Sequence, residues 1–248
     1  MNLNKINILV TRPAHQAEQL CQLIQTQGGQ PIRFPVIEIV EMDDKSTLVN
    51  CRAHLDQLDM LIFISANAVE KTLPTLLAQA HLPPQLQLIA VGKRTAQTLE
   101  AWGLSALCPA FPFNSEAVLA MPVMQTEAIA GKAVVIFRGE GGRELLAEIL
   151  QQRGATVNYV NVYQRRQPTT PTWIADTPID IITITSVEGL QNLFAMLKGQ
   201  AWLYQTPLVV MSERIRSQAR QLGVQAPIFV APTASDEGLL MAMLQASI

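Results

Sequence analysis

The run Arg138-Gly139-Glu140-Gly141-Gly142-Arg143 is where this sequence most suggests chemistry with an anion. Its three glycines let backbone N–H groups approach a ligand, and each flanking guanidinium can take a carboxylate bidentately. It is not a dinucleotide fingerprint, because Glu144 stands where the third glycine is needed, and no Gly-Lys-Ser/Thr follows to make a P-loop. Small, hydroxylated or basic residues also follow other apolar runs: Thr11-Arg12-Pro13, Ser65-Ala66-Asn67, Gly92-Lys93-Arg94-Thr95, Thr185-Ser186 and Ser212-Glu213-Arg214. Where a strand leads into a helix, such a loop presents unpaired N–H groups and partial positive charge. One helix end gives an exposed anion only about 0.3–1 kcal/mol, so a polyanion would need several. Plainer readings stand beside these: the glycine run fits a tight turn, and Arg12 and Arg94 fit surface charges.

No Ser-His-Asp order, HExxH or clustered carboxylate pair stands out. An enzyme made from this inventory works by positioning and electrostatics, without a strong nucleophile or a metal. Tyr163 is one of three tyrosines. A phenol is protonated at neutral pH and can donate a proton; filling a seam between domains is the equal alternative for Tyr163. Cys21, Cys51 and Cys108 show no CxxC spacing and no neighbouring histidine, which speaks against a disulfide framework and against zinc. His15, His54 and His81 read as isolated surface residues. A net charge of −2 leaves no basic field for nucleic acid. With no signal-peptide pattern and no apolar stretch long enough for a bilayer, a cytoplasmic protein is expected.

The elements that must position these residues repeat along the chain. Residues 8–31 align with 134–157 without a gap, placing Arg12 on Arg138, Glu18 on Glu144 and Gly28 on Gly154. Farther on, Ser65 falls on Ser186, Gly92-Lys93-Arg94 on Ser212-Glu213-Arg214, and Gly103 on Gly223. Asn114-Ser115-Glu116 parallels Ala234-Ser235-Asp236, with each serine read as a helix N-cap. Ala17, Leu20, Cys21 and Ile24 keep helical spacing, as do Leu145, Leu146, Ile149 and Leu150. Cys21 is therefore a core residue, and Met241 and Met243 belong to a C-terminal amphipathic helix. The four glycine stops suit left-handed C′ positions. Apolar strands alternating with helices, at 49% hydrophobic and 15% charged residues, predict an α/β protein of two flavodoxin-like βα domains with parallel sheets. The duplication leaves open whether each half folds alone. Residues 34–40 and 160–166 read as paired extended connectors.

In their order these stretches resemble the uroporphyrinogen-III synthase family of bacterial type. The residues that carry the resemblance are Val10-Thr11-Arg12-Pro13, Phe34-Pro35-Val36-Ile37, Phe63-Ile64-Ser65-Ala66-Asn67, Val91-Gly92-Lys93-Arg94-Thr95, Phe137 to Leu145, Val162-Tyr163-Gln164-Arg165 and Val210-Met211-Ser212-Glu213-Arg214. The resemblance implies two domains joined by a two-stranded β-ladder, residues 1–37 with 166–248 and residues 38–165, and a substrate cleft between them. It implies a lyase of heme and siroheme biosynthesis that cyclises hydroxymethylbilane to uroporphyrinogen III with inversion of ring D and loss of water. The expected state is a cofactor-free monomer with no nucleic-acid or membrane partner, in at most transient contact with the bilane-forming enzyme. Tyr163 matches a tyrosine proposed to assist departure of the hydroxyl group, and Ser65, Thr95 and Ser186 match cleft positions. Arg12, Arg138, Gly139, Gly141, Gly142, Arg143 and Ser212 complete the expected substrate-binding set. Relatives often carry Gly-x-Thr-Thr where this chain has Met211-Ser212-Glu213-Arg214. The competing readings are a two-domain sensor of small anions and, disfavoured by the broken glycine fingerprint, a nucleotide-dependent transferase.

Overall fold

The computed structural model describes residues 2–78 and 81–247. The chain begins with β1 (Asn7–Val10), α1 (Glu18–Thr26) and β2 (Gln30–Arg33). Next come β3 (Glu38–Glu41), α2 (Ser46–Ala53), β4 (Met60–Phe63), α3 (Ala66–Leu76), β5 (Gln87–Ala90), α4 (Lys93–Ala101), α5 (Ser115–Leu119) and α6 (Thr126–Ile129). The central run is β6 (Ala133–Gly139), α7 (Leu145–Gln152) and the eleven-residue β7 (Thr156–Arg166). The chain then forms β8 (Ile181–Ile184), α8 (Val187–Met196), β9 (Leu208–Val210), α9 (Glu213–Gln221), β10 (Ile228–Val230) and α10 (Asp236–Ala246). Among the described residues no helix is long and apolar enough to cross a membrane.

Two compact units result, Met1–Glu38 with Arg166–Ile248, and Ile39–Arg165. The first holds a five-stranded sheet in the order β10-β9-β8-β1-β2, every neighbouring pair parallel. The second sheet runs β3-β7-β6-β4-β5, with β7–β6, β6–β4 and β4–β5 parallel. All four residues of β4 and of β8 are buried, as central strands covered on both faces require. The chain passes between units at Glu38/Ile39 and at Arg165/Arg166, on β3 and β7, which are neighbours in the second sheet. The two stretches read as equal connectors differ in extent. Residues 160–166 finish a long strand, whereas residues 34–37 precede the short β3 as loop.

The sequence repeat maps onto these sheets in exchanged form. β6 and β7 repeat β1 and β2, β8 repeats β4, and β9 repeats β5. By those roles both sheets read 2-1-3-4, the flavodoxin-like order. β10 supplies the fifth place in the first sheet, and Leu107, bridged in parallel to Ile89, stands beside β5 in the second. Yet each sheet takes roles one and two from one copy of the repeat and roles three and four from the other. Neither copy completes a sheet of its own.

The cores follow the periodicity. In the first unit Leu20, Cys21 and Ile24 of α1 pack with Ile8, Val10, Leu239 and Met243. Each fully buried aliphatic side chain of this kind contributes roughly 1.5–3 kcal/mol. Met243 is buried, while Met241 on the same helix is exposed. In the second unit one sheet face holds Phe63, Phe137, Val160, Val162 and Tyr163, and another cluster holds Ile62, Val134, Ile136, Leu146 and Leu150. The stop glycines Gly28, Gly103, Gly154 and Gly223 all have positive φ. Ser235 caps α10 as expected, accepting from the Gly238 N–H. The expected Ser115 cap is corrected by one residue: Asn114 caps α5, its longer side chain reaching the Ala117 N–H at 2.8 Å.

Candidate functional site

Tyr163 sits where the regular pairing of β6 and β7 breaks. Arg138 pairs with Asn161, but the next residue, Gly139, pairs with Tyr163, so Val162 is skipped. Such a bulge turns two successive side chains to the same face. Val162 and Tyr163 accordingly share one core cluster. Tyr163 is 1% exposed, and its hydroxyl lies 3.2 Å from the Ser65 Oγ. That Oγ also accepts the Ala68 N–H at 3.2 Å, capping α3. A half-buried serine at a strand end thus links a buried phenol to the opening turn of a helix. Gly139 makes room for the ring: a Cβ there would stand 2.5 Å from Tyr163 Cε2 and 2.6 Å from Cζ. The Arg165 guanidinium lies 5.9 Å from the centre of the same ring.

Arg138 belongs to the other side of β6. It is 8% exposed, stacked 3.9 Å from the centre of the Tyr159 ring. It donates to Glu144 at 2.8 Å, to the Asn161 side chain at 3.2 Å and to the Arg143 carbonyl at 3.4 Å. The Tyr159 hydroxyl donates to the Glu144 carbonyl at 3.2 Å, and burial raises this phenol above its ordinary value. These partners occupy the guanidinium, so Arg138 braces the glycine loop and does not stand open to a carboxylate. Arg143 is 75% exposed and pairs with Glu116 at 3.2 Å. Gly141 and Gly142 have φ of +68° and +149° with open space around them, a backbone few side chains could follow. Gly142, Arg143, Arg138, Asn114 and Glu116 line a cavity of about 260 Å³. That is below the roughly 300–1,000 Å³ of a site for a drug-sized ligand.

The start of α4 is more open. Its N-cap is Gly92, which has no side chain to cap with, and the Lys93, Arg94 and Thr95 amides face outward from the helix start. Lys93 and Arg94 are exposed, and neither has an ion-pair partner among the described residues. Thr95 is 4% exposed, and its hydroxyl has no hydrogen-bond partner among the described residues.

In the first unit Arg12 pairs with Asp236 at 2.5 Å, and the side chains are 11% and 8% exposed. This buried ion pair ties the end of β1 to the start of α10. Ser186 caps α8 by accepting from the Gly189 N–H at 2.9 Å. Ser212 is the N-cap of α9 but makes no capping bond with its side chain, leaving the Glu213 and Arg214 amides as open as those of α4. Repeat-related positions therefore share a role: Ser65 and Ser186 cap, Arg12 and Arg138 brace, and Gly92 and Ser212 open uncapped helices. Lys93 and Arg94 carry more of the open charge than the sequence reading gave them. The signal was present in the alignment of Gly92 with Ser212, since glycine cannot cap from its side chain. The partners Glu144 and Asp236 were missed because an acidic residue in a first helical turn is unremarkable by itself.

A family profile described as uroporphyrinogen-III synthase HemD matches residues 18–241. The chain is 34% identical to the uroporphyrinogen-III synthase of Escherichia coli (strain K12), over 96% of this chain and 100% of that one. It is 30% identical to that of Synechococcus elongatus, over 79% and 77%. Among solved structures it is similar to a mutant uroporphyrinogen III synthase from the extremely thermophilic bacterium Thermus thermophilus, with TM-score 0.62, 15% identity and 98% of both chains covered. The uroporphyrinogen-III synthetase of Helicobacter pylori 26695 gives TM-score 0.62 at 16% identity, over 97% and 99%. The two structures share the two-domain α/β fold, and the family profile with the full-length match to the Escherichia coli relative shows the family: the chain belongs to the uroporphyrinogen-III synthases.

Proposed function

We propose that this chain cyclises hydroxymethylbilane to uroporphyrinogen III, inverting ring D and releasing water. The observation that carries the reading is the family match over residues 18–241, with a relative 34% identical along its whole length. The chemistry of the strand ends supports it. The bilane bears acetate and propionate groups on every ring, and α4 and α9 open with uncapped amides beside exposed Lys93, Arg94 and Arg214. Carboxylates bind there through Thr95, Ser212 and neighbouring amides, and at Arg143 by exchange with Glu116 and with help from the Gly141–Gly142 amides. Arg138 holds the loop that presents Arg143 and the Gly141–Gly142 amides, and Arg12 braces the end of β1 against the start of α10.

Tyr163 acts as the general acid, and the Ser65 hydroxyl carries its proton. As the ring A hydroxymethyl C–O bond breaks, Ser65 Oγ gives its proton to the departing oxygen and takes one from the Tyr163 hydroxyl. Water leaves and an azafulvenium cation remains. The substituted carbon of ring D attacks it, the spiro intermediate breaks and recloses with ring D turned, and the proton then lost from ring D returns through Ser65 to Tyr163. The proton balance closes, so no cofactor is needed. Burial of Tyr163 and its 3.2 Å contact with Ser65 support this division of labour.

Incubating the purified protein with hydroxymethylbilane and separating the products by chromatography tests the function. The type III isomer is expected. Only the type I isomer, which forms when the bilane closes spontaneously, would refute the reading and leave the anion sensor as the better account.

A further inference from the structure

Beside the opening of α4 lies an aromatic pair that the proposed chemistry does not use. Phe111 is 84% exposed, more than any other large apolar side chain among the described residues, and Phe113 is 45% exposed. Their rings meet edge to face, centroids 6.1 Å apart at 88°. An edge-to-face pair leaves aromatic faces uncovered, and a third ring gains by stacking on them. Phe113 is anchored against α4: a Cβ at Gly92 would stand 3.4 Å from the Phe113 Cβ. The pair therefore borders the uncapped helix start, with Lys93 and Arg94 exposed and without ion-pair partners among the described residues. Thr95, 4% exposed and with no hydrogen-bond partner for its hydroxyl among the described residues, lies in the same turn.

An exposed aromatic surface alone fits many partners. Joined to open cations, backbone amides and a hydroxyl without a hydrogen-bond partner among the described residues, it fits a flat ring that carries carboxylates. We infer that Phe111 and Phe113, with the first turn of α4, form a subsite for one acid-bearing pyrrole ring of the tetrapyrrole, stacking the ring while Lys93, Arg94 and Thr95 take its carboxylates. This rests on the substrate class proposed above. The stacking lies away from the reacting carbons, so it holds substrate and transition state alike and is felt in KM more than in kcat.

The test uses the full chain with Phe111→Ala, Phe113→Ala and Phe111→Leu, read by steady-state kinetics on hydroxymethylbilane and by fluorescence titration with uroporphyrin III. Phe111 is largely solvated and Phe113 half-buried, so Phe111→Ala should leave folding unaffected, and thermal melts check every variant. Each alanine variant should raise KM and the uroporphyrin Kd by about 2- to 10-fold, the worth of an aromatic pair, with kcat within about twofold. Phe111→Leu should recover only part of the loss. Unchanged KM and Kd in an active protein would overturn the subsite and leave the function standing. Binding weakened by the variants in a protein that makes no type III isomer would keep the subsite and refute the activity. A self-association that Phe111→Ala abolishes while uroporphyrin binding stays constant would also overturn it, making the pair a contact between copies.

Discussion

In the proposed mechanism Tyr163 serves as an acid only while its hydroxyl stays at Ser65, and two features of the β6–β7 pairing hold it there. The skipped Val162 turns the ring toward Ser65, and Gly139 leaves the space the ring fills. A methyl at Gly139 would overlap the ring at 2.5 Å; relieving such overpacking typically moves side chains and costs about 1–3 kcal/mol. Tyr163→Phe should lower kcat by about 10- to 100-fold, at or below the low end for general acid catalysis, because water can replace a lost acid in part. Gly139→Ala should lower kcat comparably, and the double variant should be no slower than Tyr163→Phe. Thermal melts and a double-mutant cycle on kcat check this. Multiplying losses would mean that Gly139 acts independently of the phenol. Sequence reasoning took Gly139 for a backbone amide near a ligand, because a glycine's neighbour across the sheet is invisible in one strand. A trace was legible all the same: Val162-Tyr163 puts two large apolar residues in succession where a regular strand alternates. Arg12 and Arg138 are likewise engaged by partners distant or inconspicuous in the sequence: Asp236 opens α10, Glu144 is the N-cap of α7 and Asn161 lies on β7.

At the level of elements, strands, helices and glycine stops were legible from apolar runs and spacing, but the devices that lock strand to strand were not. Asp59, just before β4, accepts the Ala133 N–H at 2.8 Å and the Lys132 ammonium at 2.8 Å. Its own N–H donates to the Ala133 carbonyl at 2.9 Å. Asp180, just before β8, does the same in the first unit, accepting the Asn7 N–H at 2.7 Å and donating to the Asn7 carbonyl at 3.0 Å. These two aspartates are repeat-related, and neither drew notice because a single aspartate before a strand reads as a turn residue. The Lys132 hydrogen bond, and next the Ala133 N–H, hold the Asp59 carboxyl below its ordinary value. A depressed folded value means that its contribution is present above the unfolded value, near 3.9, and is lost as pH falls through the folded one. Asp59→Asn should therefore cost about 1 kcal/mol at neutral pH, the scale of a net hydrogen bond. It should also flatten the loss of stability below about pH 4. Urea unfolding of both proteins between neutral and acid pH measures this. Parallel curves across the acid limb would show that Asp59 takes no part in it.

For the whole molecule, the repeat was plain in the sequence but its exchange between sheets was not. Both copies carry the same four strand roles, so the pattern is equally consistent with each copy closing on itself. What decides is pairing: β1 lies against β8 and β2, and β6 against β4 and β7. A fragment of residues 1–125 contains β1 and β2 without β8, and β4 and β5 without β6. Ile8, Leu9 and Val10 of β1 and Leu61, Ile62 and Phe63 of β4 are completely buried in the intact chain, and in the fragment these strands would become exposed apolar edges. Such edges pair promiscuously and aggregate. Residues 39–165 differ, because this stretch holds β3 apart from Glu38, β4 to β6, nearly all of β7, and the two apolar clusters on its sheet. We expect the 39–165 fragment to be monomeric and to melt cooperatively, and the 1–125 fragment to be unfolded or aggregated despite containing one full copy of the repeat. Far-UV circular dichroism with thermal melting and sedimentation compares them directly. A cooperative, monomeric 1–125 fragment would mean that the repeat retains the pairing of an unexchanged domain, and that the exchange in the intact chain is a choice between two folds of similar stability.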